Sequence, residues 1–133
     1  MNPEIWGPGA WIFLHTITLN YPNNPDIDVI DYHKNFFVLL KNIIPCEKCR
    51  LHYSQYLIDN PIDDVLNNKQ DFVIWLNKLH NEINVRNNKP EMNIKNMIKL
   101  YKKKYSEKNN FKMYILILLF VIIIFLFYWL FIK

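Results

Sequence analysis

Residues 69–86 read KQDFVIWLNKLHNEINVR, and their periodicity decides the fold class. Phe72, Trp75, Leu76, Leu79 and Ile83 recur at three- and four-residue spacing, the pattern of one buried helix face. Asn87 and Asn88 end the run, and Pro90 follows. His80, Asn81 and Asn84 form a polar strip within it. Asparagine is a poor former of helix interiors. The strip therefore implies a hydrogen-bonded core, a solvated face or a bound partner.

The flanking segments repeat the helical pattern. Residues 10–20, AWIFLHTITLN, contain sheet-compatible side chains, but their length favours a buried helix. Trp11, His15 and Thr18 then share one face. Residues 28–44 predict a second helix, with Asp26 or Asp28 as its cap. Pro45 opens a third, which places Cys46 in its first turn, and Asn60-Pro61 ends it. A short fifth helix is expected from about Asn93 to Tyr105.

Residues 113–132, MYILILLFVIIIFLFYWLFI, carry no charge. A helix of that length spans roughly 30 Å, the hydrocarbon thickness of a bilayer. Too little chain remains to wrap such a helix in a soluble core, so a C-terminal transmembrane helix is expected. The fold class is thus all-α, a four-helix bundle with a short fifth helix and the membrane segment. The domain boundaries follow as 1–105 for the globular domain, 106–112 for a basic linker and 113–132 for the span.

Charge follows this division. Residues 95–112 carry seven lysines and one glutamate, whereas residues 1–94 carry eight basic and eleven acidic side chains. The basic character belongs to the approach to the membrane, where it contacts anionic lipid and places the globular domain on the cytoplasmic side. It is a weak signal for nucleic acid, and none is expected as a partner. Only two glycines are present, and no Gly-rich phosphate loop occurs.

Cys46 and Cys49 are the only cysteines and stand three apart in PCEKCR, 45–50. The spacing permits a local disulfide that opens and closes. At a helix N-terminus the thiolate of Cys46 is favoured by unpaired N–H groups and the helix dipole. Lys48 and Arg50 are either thiolate partners or solvated side chains. A bare C-x-x-C also suits a structural hairpin disulfide, a dithiol exchanger or half of a zinc site. The metal reading lacks a histidine pair at the usual spacing, so no metal is expected. The exchanger reading lacks a βαβ context. In a reducing compartment a lone disulfide is more often catalytic than structural.

Taken together, WGPGAWIFLHT at 6–16, YP at 21–22, PCEKCR at 45–50, WLNKLHNEIN at 75–84 and KP at 89–90 resemble the FAD-linked sulfhydryl oxidases of the Erv/ALR type. The compact form with a membrane segment is similar to versions encoded by large DNA viruses. The resemblance implies a helical bundle cradling FAD, with Cys46 and Cys49 as the catalytic pair and Cys49 nearer the flavin ring. It implies cofactor contacts from Trp6, Gly7, Trp11, His15, His80, Asn81, Ile83, Asn84, Lys89 and Tyr101. The polar strip would meet the adenosine side, and Lys89 the pyrophosphate or ring-side oxygens.

The implied reaction oxidises thiols of a client protein, or of a separate thioredoxin-like carrier, and passes electrons to molecular oxygen to give hydrogen peroxide. A homodimer, a lipid contact through the last helix, and a host-cell or virion membrane are also implied. The competing reading is a non-enzymatic, membrane-anchored adaptor with a structural C-x-x-C. Three departures stand out. Pro8 occupies a position where relatives often place arginine. A second structural disulfide, aligning near Asn77 and Ile94, is absent, so the fifth helix is expected to be held by packing of Met92, Ile94, Met97 and Ile98. No distal shuttle cysteine pair is present.

Overall fold

The computed structural model describes residues 1–131, with side chains for all of these except 107–111. Ile132, the last residue of the expected span, and Lys133 lie outside the described residues. The chain forms two compact units, Met1–Met97 and Ile98–Lys133. The described residues contain helices and no strand.

Helix α1 covers Pro3–Asn20. It starts seven residues before the expected position. Asn2 caps it through a hydrogen bond from the Glu4 amide (2.9 Å), and Pro3 occupies a first-turn position where a missing N–H is harmless. Gly7-Pro8-Gly9 reads as a break, yet Pro8 lies inside the helix. Burial of His15 and Thr18 and packing of Trp11, Leu14 and Ile17 against the core override the local preference.

Helix α2 covers Ile27–Ile43, with Asp26 accepting from the Val29 amide at 2.8 Å. Helix α3 covers Glu47–Asp59. A 3-10 turn at Ile62–Asp64, absent from the sequence reading, leads to α4, Lys69–Arg86, which Asn68 caps. The bounds of α4 are those its apolar repeat predicts. α1 packs on α4, and α2 on α3.

A shared aromatic core joins the two pairs. Phe37 of α2 meets Phe72 and Trp75 of α4 edge-on, at centroid distances of 5.0 and 5.8 Å. Trp75 meets Tyr56 of α3 at 5.3 Å. Phe37 and Phe72 are fully buried, each worth about 1.5–3 kcal/mol by transfer from water. The core tyrosines satisfy their hydroxyls. Tyr21, Tyr53 and Tyr56 donate to the carbonyls of Leu66, Phe37 and Trp75, each at 2.8 Å. Burial pushes the Tyr53 and Tyr56 phenols up, which keeps them protonated donors.

Helix α5 runs from Ile94 to Phe131. The helix expected to end near Tyr105 is continuous with the apolar segment, because no proline or glycine follows Pro90. In the second unit, Lys112–Phe131 has mean hydropathy 3.0 and is long and apolar enough to cross a membrane.

Candidate functional site

The Ile44-Pro45-Cys46 turn places both cysteines. Pro45 cannot continue α2, and α3 starts at Glu47, two residues later than expected. Cys46 is therefore the N-cap, and its Sγ accepts from the Cys49 amide at 3.2 Å. The two cysteines form a disulfide with Cα atoms 5.1 Å apart, and both are partly accessible. Arg50 has a role the sequence did not reveal. Its Nη1 donates to the Ile44 carbonyl at 2.8 Å, tying the turn to α3. Lys48 is exposed.

A ring cluster lies on the α1–α4 pair. The Trp11 indole stacks on the His80 imidazole at 4.0 Å and 7°. His15 Nε2 and His80 Nδ1 are 3.0 Å apart, so one ring donates its N–H and the other accepts. The i, i+4, i+8 spacing of Gly7, Trp11 and His15 puts all three on one face of α1. Burial, and then the neighbouring His80, lower His15 to about 3. Burial, and then the Lys89 ammonium, lower His80 to about 4. Both rings are neutral at pH 7.

This depression gives stability a pH dependence of known sign. Each unfolded imidazole binds a proton near 6.5, whereas the folded rings do so only at about 3 and about 4. Between those values the unfolded chain holds more protons, so stability falls as pH falls from about 6.5 toward 4. The limit is about 1.4 kcal/mol per pH unit for each ring. Urea midpoints of the full chain should decline between pH 7 and pH 5, and His80→Gln should flatten that decline.

The remaining expected site residues divide. Trp6 Nε1 is buried without a hydrogen-bond partner among the described residues. Gly7 is buried, yet a Cβ there would meet nothing within 4 Å. The Ile83 carbonyl accepts from the Asn87 amide, and that of Asn84 accepts from the amides of Asn87 and Lys89. These bonds wrap the chain back after α4, with Asn88 at φ 54°, a left-handed value that asparagine tolerates. Lys89 lies close enough for its charge to reach His80. Tyr101 belongs to the other unit.

Asn81 turns its amide to Met92, accepting from the Met92 amide and donating to its carbonyl, both at 2.9 Å. Asn77 donates to the same carbonyl at 3.1 Å. The segment leading into α5 is thus clamped by two asparagine side chains, beside packing of the buried Met97. The sequence signalled Asn77 as a place where a second disulfide of relatives aligns, but gave no sign of this bond. Asn81→Ala would leave the Met92 amide unpaired and its carbonyl with Asn77 alone, a loss of about 1–3 kcal/mol. A lower denaturation midpoint and faster hydrogen exchange at the Met92 amide would register it.

Two grooves lie elsewhere in this unit. One of about 470 Å³ follows α2 and α3, and one of about 290 Å³ adjoins Asn60 and Trp75. Neither is lined by the ring cluster. Trp11 and His80 are already in contact, which leaves no room for a third ring between them. The open space at Gly7, the unpartnered Trp6 N–H and the flat neutral rings fit a planar heteroaromatic cofactor laid against this surface.

A profile of the Erv1/Alr family matches residues 8–106. The chain belongs to the Erv1/Alr family. A probable FAD-linked sulfhydryl oxidase of Acanthamoeba polyphaga mimivirus is 38% identical over 86 residues, covering 63% of this chain and 59% of that protein. The chain thus spans about three-fifths of that relative's length. The FAD-linked sulfhydryl oxidase of an African swine fever virus isolate is 36% identical over 88 residues, covering 63% of this chain and 69% of its own. The yeast Erv1 core has the same fold, with a TM-score of 0.68 at 22% identity over 78% of this chain and 83% of that one. This Erv1/Alr member therefore carries its C-x-x-C and its ring cluster on the fold that the sequence motifs implied.

Proposed function

We propose that the chain is an FAD-dependent thiol oxidase that forms disulfides in client proteins. The observation that carries this is a partly accessible Cys46–Cys49 disulfide at the N-terminus of α3. The names of the viral relatives support the same activity.

The chain's own residues supply thiol–disulfide exchange. A client thiolate attacks Cys46 Sγ, the Cys46–Cys49 bond breaks, and Cys49 leaves as a thiolate. A second client thiolate attacks the client sulfur of the mixed disulfide, and Cys46 leaves as a thiolate. The client has lost two electrons, and the cysteine pair has gained them. The positive end of α3 and its free amides favour the Cys46 thiolate as a leaving group. When bound, FAD supplies the two-electron acceptor that restores the disulfide and delivers electrons to oxygen as hydrogen peroxide. Trp6, Gly7, Trp11, His15, His80, Asn81, Ile83, Asn84 and Lys89 would hold it. Trp11 and the neutral imidazoles offer flat stacking surface, and Lys89 offers a cation for its phosphates.

The catalytic domain is assigned to 1–105, a basic linker to 106–112 and a membrane span to 113–132. The lysines before the span support a cytoplasmic domain and a basic segment in contact with anionic lipid. Exposed Ile5 and Phe13 on α1 support pairing with a second copy.

The full chain in detergent, supplied with FAD, should show a flavin absorption band and consume oxygen when given a dithiol. A folded, colourless chain that takes up no FAD would reject the proposal. An adaptor with a structural disulfide would consume no oxygen.

A further inference from the structure

We propose that the groove along α2 and α3 is the docking track for the client, and that it takes an extended, cysteine-bearing segment with an apolar side chain about four to six residues from the reacting cysteine. This rests on the reading of Cys46–Cys49 as the redox disulfide.

Two observations point the same way. Leu51, Ser54 and Ile58 follow one another at three- and four-residue spacing and form a stripe along one face of α3. Leu51 is 66% exposed and Ile58 70% exposed, so the stripe leaves apolar surface in water on the helix that begins at the disulfide. Ser54 and Ile58 also line the groove of about 470 Å³, with Val38 of α2 and Pro61 and Ile62 beyond α3. That volume lies within the range of about 300–1,000 Å³ typical of ligand sites.

The chemistry fixes where a client must begin. During exchange its sulfur is bonded to Cys46, at the end of α3 where the stripe starts. From Cys46 to Ser54 is eight residues and to Ile58 twelve, about 12 and 18 Å along a helix. An extended chain advances about 3.3 Å per residue. A side chain about four to six positions from the client cysteine therefore arrives over the groove.

Charge narrows the occupant further. Lys41 lines the groove and has no ion pair among the described residues, whereas Asp63 at the far wall is paired with Lys34 at 2.6 Å. A neutral or acidic segment suits this wall better than a basic one.

The full chain with FAD bound tests the proposal through the oxidation of dithiol peptides of equal length. Each carries leucine, serine or lysine five residues from the first cysteine, and dithiothreitol is the reference. The leucine peptide should show a kcat/KM about tenfold above the serine peptide, mainly through KM, and the lysine peptide should be poorest. Ile58→Ser should lower the leucine peptide's kcat/KM about tenfold relative to dithiothreitol and narrow the gap to the serine peptide. The peptide series on the unaltered protein stands independently of that variant. Equal rates for the three peptides would overturn the docking track. So would a folded thioredoxin-like protein whose oxidation alone responds to Ile58→Ser, or a change of oligomeric state on that substitution. A failure to oxidise dithiothreitol would instead strike the thiol-oxidase reading itself.

Discussion

Replacing Cys49 by serine is expected to abolish dithiol-dependent oxygen consumption, a fall of about three orders of magnitude or more. With no partner sulfur Cys46 cannot form the internal disulfide, and a serine hydroxyl neither accepts nor passes an electron pair by thiol exchange. The fold should survive. The disulfide closes a loop of only a few residues, so its loss removes about 2 kcal/mol of denatured-state constraint. The aromatic core around Phe37, Phe72 and Trp75 does not include it. An oxygen electrode and a thermal melt on the same preparation separate the two effects. Supplied with the oxidised client, the single Cys46 thiolate should instead open the client's disulfide and hold one client sulfur as a mixed disulfide, while the other client sulfur leaves as a thiolate. Turnover near the original rate in the Cys49→Ser variant would remove the pair from the mechanism.

Trp11→Ala should have the next largest effect, and on two observables at once. The indole packs against the core and stacks on His80 at 4.0 Å. Its partial burial sets the destabilisation at about 2–3 kcal/mol, below the range for a fully buried tryptophan. Loss of a stacking surface for a base or ring removes about 1–3 kcal/mol of ligand binding, which is roughly fivefold to over a hundredfold in FAD affinity. Trp11→Phe keeps a flat ring and should recover much of both. Flavin titration and denaturant unfolding of the full chain measure the two quantities. Unaltered FAD affinity in the alanine variant would move the cofactor away from this surface.

The elements differ in how plainly the sequence announced them. α4 was legible almost to the residue, because a strong apolar repeat lies between an asparagine cap and an asparagine–proline stop. α1 was legible only in its second half. Its first turns contain Gly7, Pro8 and Gly9, and local preference argues against a helix there. Burial of the same helix further along makes the continuation favourable. The 3-10 turn at Ile62–Asp64 has no periodic signal, being too short to repeat one.

The candidate site shows the same contrast. The cysteine pair and its helix-terminal position were visible in six letters, with an error of two residues at the helix start. Resemblance implied that Trp11, His15 and His80 serve one cofactor, but not that their rings touch, since nothing local links residues 65 positions apart. The clamp on Met92 was visible in neither way. Asn77 and Asn81 are two polar letters in a helix until a later segment brings them a backbone to bind. The polar strip therefore serves two ends, with His80 turned toward α1 and Asn81 toward the chain entering α5.

Sequence by itself determined the helical class, the cysteine spacing and the apolar segment at the end, because each depends on contacts or chemistry within about a dozen neighbouring residues. Only the tertiary structure decided that two buried imidazoles share a hydrogen bond beneath an indole, that amide side chains hold the entry to α5, and that a groove follows the helix leaving the disulfide. Those features join groups distant along the chain. Their energies arise from burial and pairing, which exist only once the helices have packed.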